Sequence, residues 1–214
     1  MKKPVIILGA RNLGKVALDI LQRNDIVVYG FLDDDQAQWE KTIDHIPVLG
    51  GTATERYWDL IGESCDTFIA IAQQAKRLRL TAMLWEQKKM VPINAIHPST
   101  IIANTASFGH GNLMNASVSL GADVSLGSHC ILHTCATIEH DAMINDFVQV
   151  GAGSVVGAGV KLNEQVFVGA GATVVAGVEV GAAASIGVGA VVLENVKAGE
   201  IVLGNPAKPF HKKP

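Results

Sequence analysis

The stretch that decides the fold reads VGAGSVVGAGVKLNEQVFVGAGATVVAGVEVGAAASI over residues 150–186. Every sixth residue in it is apolar, and the same spacing continues without a break from Ile102 to Val192. Glycine follows the apolar residue at eight of these sites. One inward apolar side chain per six residues, followed by a residue that permits a tight turn, is typical of hexapeptide-repeat proteins. We therefore predict a left-handed parallel β-helix of about five stacked coils.

Other interpretations of this glycine- and alanine-rich half fit less well. An amphipathic helix needs apolar residues at i+3 and i+4, where serine, aspartate, glutamate and glycine often stand. A doubly wound sheet contains helices, which would break the six-residue spacing within a few repeats.

The first hundred residues have a different pattern. An apolar strand at 5–8 leads through a glycine turn into a helical pattern, and a second strand at 26–32 ends in three aspartates. A third strand at 67–72 precedes a helix at 75–89. This alternation predicts an α/β domain with a small parallel sheet and a Rossmann-like βαβ unit. Because Pro98 cannot continue a regular ladder, we expect an α/β domain over 1–97, the β-helix over 98–195 and a C-terminal tail over 196–214.

Composition excludes several classes of protein. The chain has 214 residues, a net charge of −3 and 5% aromatic residues, which leaves no basic footprint for a nucleic acid. No apolar run is long enough to span a membrane, and we interpret the N-terminal run as a first strand rather than a signal peptide. Three cysteines without a CxxC pair fit a reducing, cytoplasmic compartment. We expect small molecules and further copies of the chain as partners.

The turn after the first strand suits an anionic ligand. A helix that begins after Gly9 presents free N–H groups to a phosphate, and the acids that end the second strand suit a ribose or a base. The glycine spacing is not that of an NAD site, since Arg11 stands where the pyrophosphate would need glycine. From the spacing alone, a plain βαβ domain with an ordinary turn fits equally well.

Histidines supply the candidate chemistry of the β-helix. His140 lies between Glu139 and Asp141, and an imidazole beside a carboxylate can act as a general base near neutral pH. The sequence leaves open whether His140 is such a base or a solvated corner residue. For His110, His129 and His133 we favour surface or subunit-contact roles. His129 and His133 are four residues apart, and His133 and His140 are seven apart. This spacing argues against a metal site.

Several motifs together resemble one family. They are GFLDDD at 30–35, IHPS at 96–99, TIEHD at 137–141 and GNPAK at 204–208. In this order they are similar to the NeuD/PglD family of sugar O- or N-acetyltransferases, which use acetyl-CoA. The resemblance implies that His140 is the general base, that Asp141 raises its basicity, and that the acceptor attacks the thioester directly. Gly151 is a candidate, by position, for the backbone N–H that stabilises the oxyanion.

The resemblance also implies where the two substrates bind. Acetyl-CoA would lie in a groove between neighbouring β-helices of a homotrimer and contact the positions Gln149, Ala170 and Val188. The nucleotide of an activated amino sugar would bind at Arg11, Asn12, Leu13, Asp33 and Asp34.

Three features depart from the family pattern, and one of them is Val188, at a position where the family usually has glycine. The family commonly has a second histidine where Gln149 stands, and a further imidazole where Leu13 stands. An arginine at position 11 fits an acidic sugar such as a sialic acid as well as a nucleotide-linked amino sugar. The resemblance implies transfer of acetyl to the amine of a nucleotide-linked 4-amino-4,6-dideoxy sugar. Sialic acid O-acetylation and a non-catalytic nucleotide-sugar-binding protein remain as alternatives.

Overall fold

The computed structural model describes residues 3–210, so the last four residues of the predicted tail lie outside the described part. The chain forms two compact units, Met1–Pro98 and Ser99–Pro214. Between residues 3 and 210, every helix is too short or too polar to cross a bilayer.

The first unit is built on a small twisted sheet with the strand order β3-β4-β2-β1-β5. The strands β1, β2, β4 and β5 are parallel, and β3 is antiparallel to β4. The strands and helices are β1 Val5–Leu8, α1 Asn12–Arg23, β2 Val28–Leu32, a 3₁₀ turn Gln36–Gln38, β3 Thr42–Ile43, β4 Ile46–Gly50, α2 Glu55–Trp58, α3 Leu60–Glu63, β5 Asp66–Ile69, α4 Gln74–Lys88 and β6 Ala95–Ile96.

Burial explains why these segments form their elements. All four residues of β1 are buried, as expected of a central parallel strand with both faces covered. On α4, Leu80 and Leu84 lie one turn apart and both pack into the core with Trp58 and Ile61. The hydrophobic effect thus holds α4 and the short helices α2 and α3 against the sheet.

The structure of this unit confirms the prediction of a small parallel sheet with helices. The prediction missed the β3–β4 hairpin, because the two residues of β3 show no alternation and Pro47 interrupts β4. The hairpin extends the sheet beyond β2, with β4 next to β2 and β3 at the edge.

The second unit confirms the left-handed parallel β-helix. Its strands are β7 Ile101–Ile102, β8 Ser107–Phe108, β9 Leu113–Met114, β10 Ser119–Leu120, β11 Ser125–Leu126, β12 Ile131–Leu132, β13 Thr137–Ile138, β14 Met143–Ile144, β15 Gln149–Val150, β16 Val155–Val156, β17 Lys161–Leu162, β18 Phe167–Val168, β19 Thr173–Val174, β20 Glu179–Val180, β21 Ser185–Ile186, β22 Val191–Val192, β23 Ile201–Leu203 and β24 Lys208–Pro209. Each strand from β10 to β19 pairs in parallel with the third strand before it and the third strand after it, so one coil contains 18 residues, as between Ile131 and Gln149.

Three flat sheets enclose the core of this unit. Their strand orders are β7-β10-β13-β16-β19-β22, β8-β11-β14-β17-β20 and β9-β12-β15-β18-β21-β23-β24. The second residue of each two-residue strand from β10 to β22 is buried and points inward. Packed apolar side chains on the coil axis therefore account for the six-residue spacing.

Four-residue turns join the strands from β7 to β22. They stack into edges, because N–H groups of one turn donate to carbonyls of the equivalent turn in the preceding coil. Examples are Gly171 to Ala152 and Gly159 to His140, each at 2.9 Å. We call two of these stacks the first edge and the second edge. The first edge comprises the turns 133–136, 151–154, 169–172 and 187–190. The second edge comprises the turns 121–124, 139–142, 157–160 and 175–178. The sheet that contains β13 and β16 separates them.

Two glycine positions in these turns have different physical roles, which stability measurements can separate. We expect Gly169→Ala to lower the free energy of unfolding by about 2–3 kcal/mol, as overpacking does, because its Cβ would lie 2.6 Å from the backbone nitrogen of Val188. Gly153→Ala is the matched control. Its Cβ would meet nothing within 4 Å, and Ala183 already adopts a similar positive φ, so a loss of about 1 kcal/mol is expected. Equal losses in urea unfolding would contradict this assignment.

Candidate functional site

A cavity of about 290 Å³ lies at the carboxyl ends of the parallel strands in the first unit. The segments that follow β1, β2 and β5 line it. In the strand order, β2 lies on one side of β1 and β5 on the other, so the order reverses between β1 and β5. The chain turns into α1 after β1 and into α4 after β5. Ligands of open α/β sheets bind at such a reversal of strand order. The predicted substrate residues Arg11, Asn12 and Leu13 all line this cavity.

Two glycines make the turn between β1 and α1 possible. Gly9 has φ +109°, and a Cβ there would lie 2.7 Å from the carbonyl oxygen of Ala70. A Cβ on Gly14 would collide with the carbonyl of Gly9. The close approach of this turn to the end of β5 brings the N-terminus of α1 to the cavity, where its first N–H groups have no partner within the helix.

Asp33 fixes the wall of the cavity through main-chain contacts. Its Oδ2 accepts a hydrogen bond from Ala10 N–H at 2.8 Å, and its Oδ1 accepts one from Asp35 N–H at 2.9 Å. Asp35 in turn forms an ion pair with Arg11. The sequence prediction placed Asp33 against the substrate, and the structure places it at the cavity with both carboxylate oxygens already accepting hydrogen bonds.

Asp34 contacts a different part of the unit. Its Oδ1 accepts from the Thr52 hydroxyl at 2.6 Å and from the Thr52 N–H at 3.0 Å, and its Oδ2 lies 3.7 Å from Arg79. Partial burial works to raise the pKa of Asp34, but these hydrogen bonds and the charges of Arg79 and Lys76 outweigh it and hold the pKa below its ordinary value. Asp34 is absent from the cavity lining among residues 3–210.

Lys76 is a cavity residue that the sequence reasoning missed. It lies in the first turn of α4, a helix whose first turn contains no acidic residue. An ammonium group beside a helix N-terminus favours an anion. A basic residue just after the third parallel strand was the signal that could have identified it.

His140 and Asp141 form a direct pair on the second edge. The Nδ1 of His140 donates to Asp141 Oδ2 at 2.8 Å, and both side chains are more than half exposed. This hydrogen bond raises the pKa of His140, and the charges of Asp141 and Glu139 act in the same direction. Because the carboxylate holds the proton on Nδ1, Nε2 of the neutral ring carries the free lone pair. The pair can therefore accept a proton from a group that approaches through solvent.

The predicted cofactor residues lie at the first edge. Ala170 and Val188 occupy equivalent places in successive turns and are exposed. Gln149 lies in β15, just before that edge, and its Nε2 is 3.0 Å from His133 Nε2. The expectation that Gly151 supplies an oxyanion donor is wrong, because its N–H donates to the carbonyl of Val168 at 2.8 Å in the backbone ladder.

One copy of the chain keeps the predicted base and the predicted cofactor residues apart. His140 lies on the second edge, whereas Ala170 and Val188 lie on the first, and a whole sheet separates the edges. In the described part of the chain, no three His, Cys, Asp or Glu residues are placed to hold a metal ion. All three cysteines of the sequence are free thiols.

Comparison with protein families and curated proteins gave one match. Residues 4–84 match the family described as the PglD N-terminal domain. No curated protein matches the chain significantly in sequence.

Solved structures match nearly the whole chain. A histidine-to-alanine mutant of GDP-perosamine N-acetyltransferase from Caulobacter crescentus, in complex with CoA and GDP-perosamine, has a TM-score of 0.90 and 27% identity, and the match covers 98% of this chain and 97% of that one. The acetyltransferase domain of PglB from Neisseria gonorrhoeae, in complex with acetyl coenzyme A, has a TM-score of 0.89 and 25% identity, with coverage of 98% and 100%. WeeI from Acinetobacter baumannii has a TM-score of 0.84 and 25% identity, with coverage of 97% and 99%.

The pairing on the second edge predicts how the His140 ring titrates. We expect Asp141→Asn to lower the pKa of His140, because it replaces the charged acceptor that stabilises the imidazolium form. Glu139→Gln serves as the comparison and should lower that pKa by less, since Glu139 acts only through its charge. Titration of the ring C–H signals by NMR measures both. A pKa that Asp141→Asn leaves unchanged would contradict the pairing.

Proposed function

Since the chain is a NeuD/PglD-like acetyltransferase, we propose that it transfers the acetyl group of acetyl-CoA to the amine of a nucleotide-linked 4-amino-4,6-dideoxy sugar. The observation that carries this proposal is the exposed His140–Asp141 pair, in a chain that matches nucleotide-sugar N-acetyltransferases along almost its full length. A protein that only binds the sugar has no need of a base held by a carboxylate.

The proposed reaction is a direct transfer. The neutral sugar amine attacks the thioester carbonyl, His140 Nε2 takes the proton that the nitrogen loses, and the C–S bond breaks. The CoA thiolate leaves and receives the proton from the imidazolium. Asp141 keeps Nδ1–H in place and stabilises the charged ring. Because protonation removes the lone pair, activity should fall as the pH drops through the raised pKa of His140.

The cavity of the first unit is the proposed binding site for the nucleotide diphosphate. The N-termini of α1 and α4 both reach it, and Lys76 adds a positive charge. Arg11 and Asn12 stand at its rim, both exposed. Asp33 shapes this binding site, because its hydrogen bonds hold the turns after β1 and β2 in place. The proposed site also includes Asp34, which acts through its hydrogen bond with Thr52. Leu13 contributes through its backbone, because its side chain is buried.

Acetyl-CoA is proposed to lie along the first edge, at Gln149, Ala170 and Val188. The exposed residues of this edge are small, and a Cβ added at Gly171 or Gly189 would meet nothing within 4 Å. A flat edge of this kind leaves room for an extended pantetheine arm. Because His140 lies on the other edge, we propose a homotrimer in which one copy supplies the base and its neighbour supplies the acetyl-CoA groove.

Release of free thiol from acetyl-CoA tests the reaction. The acceptors are GDP-perosamine, UDP- and dTDP-linked 4-amino-4,6-dideoxy sugars, and free sialic acids. We expect turnover with an amino sugar nucleotide and a loss of about 10²- to 10⁴-fold in kcat for His140→Ala, as for removal of a general base. His45→Asn, at an exposed histidine on the β3–β4 turn, is the control and should keep full activity.

The same assay separates the alternatives. Neutral hydroxylamine cleaves an acetyl ester and leaves an acetyl amide intact. A sialic acid product that hydroxylamine cleaves would therefore show O-acetylation in place of N-acetylation. Binding of the nucleotide sugars without turnover of any acceptor would favour the non-catalytic alternative.

Mixed oligomers test the shared site. His140→Ala removes the base, and Ala170→Trp should block the groove; each protein alone is expected to be inactive. Co-expressed in equal amounts, they should recover about a quarter of the wild-type activity, because about one site in three of each mixed trimer combines an intact base with an intact groove. A mixture without activity would place the complete site within one copy.

A further inference from the structure

His133, which has no part in the reaction proposed above, forms a polar pair with Gln149 of the proposed acetyl-CoA groove. His133 opens the turn after β12, and Gln149 opens β15 one coil later. Their Nε2 atoms lie 3.0 Å apart. A carboxamide nitrogen only donates, so the imidazole Nε2 must accept, and the neutral ring carries its proton on Nδ1. The contact therefore fixes both the tautomer of His133 and the orientation of the Gln149 amide.

The surroundings keep this pair in one state. Both side chains are half-buried, and burial lowers the pKa of His133, which favours the neutral ring that the contact requires. Along the ladder Gln149 lies between Ile131 and Phe167, two apolar neighbours. A polar pair among apolar neighbours gains strength from the low local dielectric.

The pair stands at one end of the first edge. Beyond it the exposed residues Ala152, Ala170 and Val188 continue the edge with small side chains. After one amide N–H binds His133, Gln149 has a second N–H and a carbonyl oxygen left. These two groups match the needs of an acyl thioester with its neighbouring pantetheine amide, which offer one acceptor and one donor.

We propose that His133 is a positioning residue that holds the Gln149 carboxamide so that its second N–H binds the carbonyl oxygen of the acyl-CoA thioester. This inference rests on the proposed function. In it, Gln149 touches the substrate, and His133 acts through Gln149.

Variants of His133 separate this role from a purely structural one. His133→Gln keeps an acceptor at a comparable reach, whereas His133→Leu fills similar space without one. We expect His133→Leu and Gln149→Ala each to reduce kcat/KM for acetyl-CoA about tenfold, in the range for loss of a hydrogen bond, with the KM for the amino sugar unchanged. His133→Gln should recover most of the loss. The His133→Leu, Gln149→Ala double variant should resemble the single variants, since residues that act as a unit are not additive.

Two further measurements do not depend on turnover. Calorimetry with acetyl-CoA and no acceptor should give a dissociation constant about tenfold higher for His133→Leu. Long-range ¹H–¹⁵N NMR should show the Nδ1–H tautomer of His133, and Gln149→Ala should alter its Nε2 signal. Thermal unfolding of each variant checks that the fold is kept.

The outcomes distinguish this inference from the proposed function. Additive losses in the double variant, wild-type kinetics for His133→Leu, or equal defects for His133→Gln and His133→Leu would overturn the positioning role alone. A wild-type protein that binds no acetyl-CoA would overturn the proposed function, and the positioning role with it.

Discussion

Stacked backbone hydrogen bonds between coils hold every candidate group of the second unit in place. The N–H of Gln149 donates to Val166, that of Phe167 to Ala184 and that of Gly151 to Val168, all within 2.8–3.0 Å. Each coil therefore rises from the one before by a fixed step, and one inward apolar side chain per strand fills the axis. A rigid frame of this kind holds His140 and Gln149 without a dedicated scaffold around either, because their positions follow from the turns and strands that contain them.

The candidate site of the first unit is built in a different way. Parallel strands end at one edge of the sheet, and the turns that follow them bring two helix N-termini to a common cavity. Asp33 joins two of these turns through their N–H groups, while Arg11 and Asp35 neutralise each other at the rim. The negative charges thus hold the loops in place, and the helix N-termini with Lys76 remain for an anion.

Sequence reasoning predicted the parts of the molecule that depend on repeating patterns. The six-residue spacing gave the β-helix, and the alternation of apolar strands with helical patterns gave the central sheet. The hairpin at 42–50 was not predicted, because a two-residue edge strand and a neighbouring strand that contains a proline show no regular pattern. The partner of His140 could be expected from adjacency, since Asp141 follows it in the chain.

Contacts between distant residues could not be predicted in the same way. The two main-chain partners of Asp33 depend on how the loops after β1 and β2 meet, and no local sequence motif predicts that contact. The sequence predicts a surface or subunit-contact role for His133, because its partner Gln149 is sixteen positions away and only the coil brings the two side chains together.

Coil geometry also weakens the link between position in an alignment and place on the surface. Residues 18 apart, such as Ile131 and Gln149, are neighbours in the ladder, so a side chain can reach a given point from its own coil or from the one before. When a substitution removes an imidazole from one coil, a histidine in the preceding coil can deliver the same ring to that point. An alignment column would then record a lost group, although the surface had kept it. Among proteins of this architecture, side chains are better compared by edge and height along the coil axis than by alignment column.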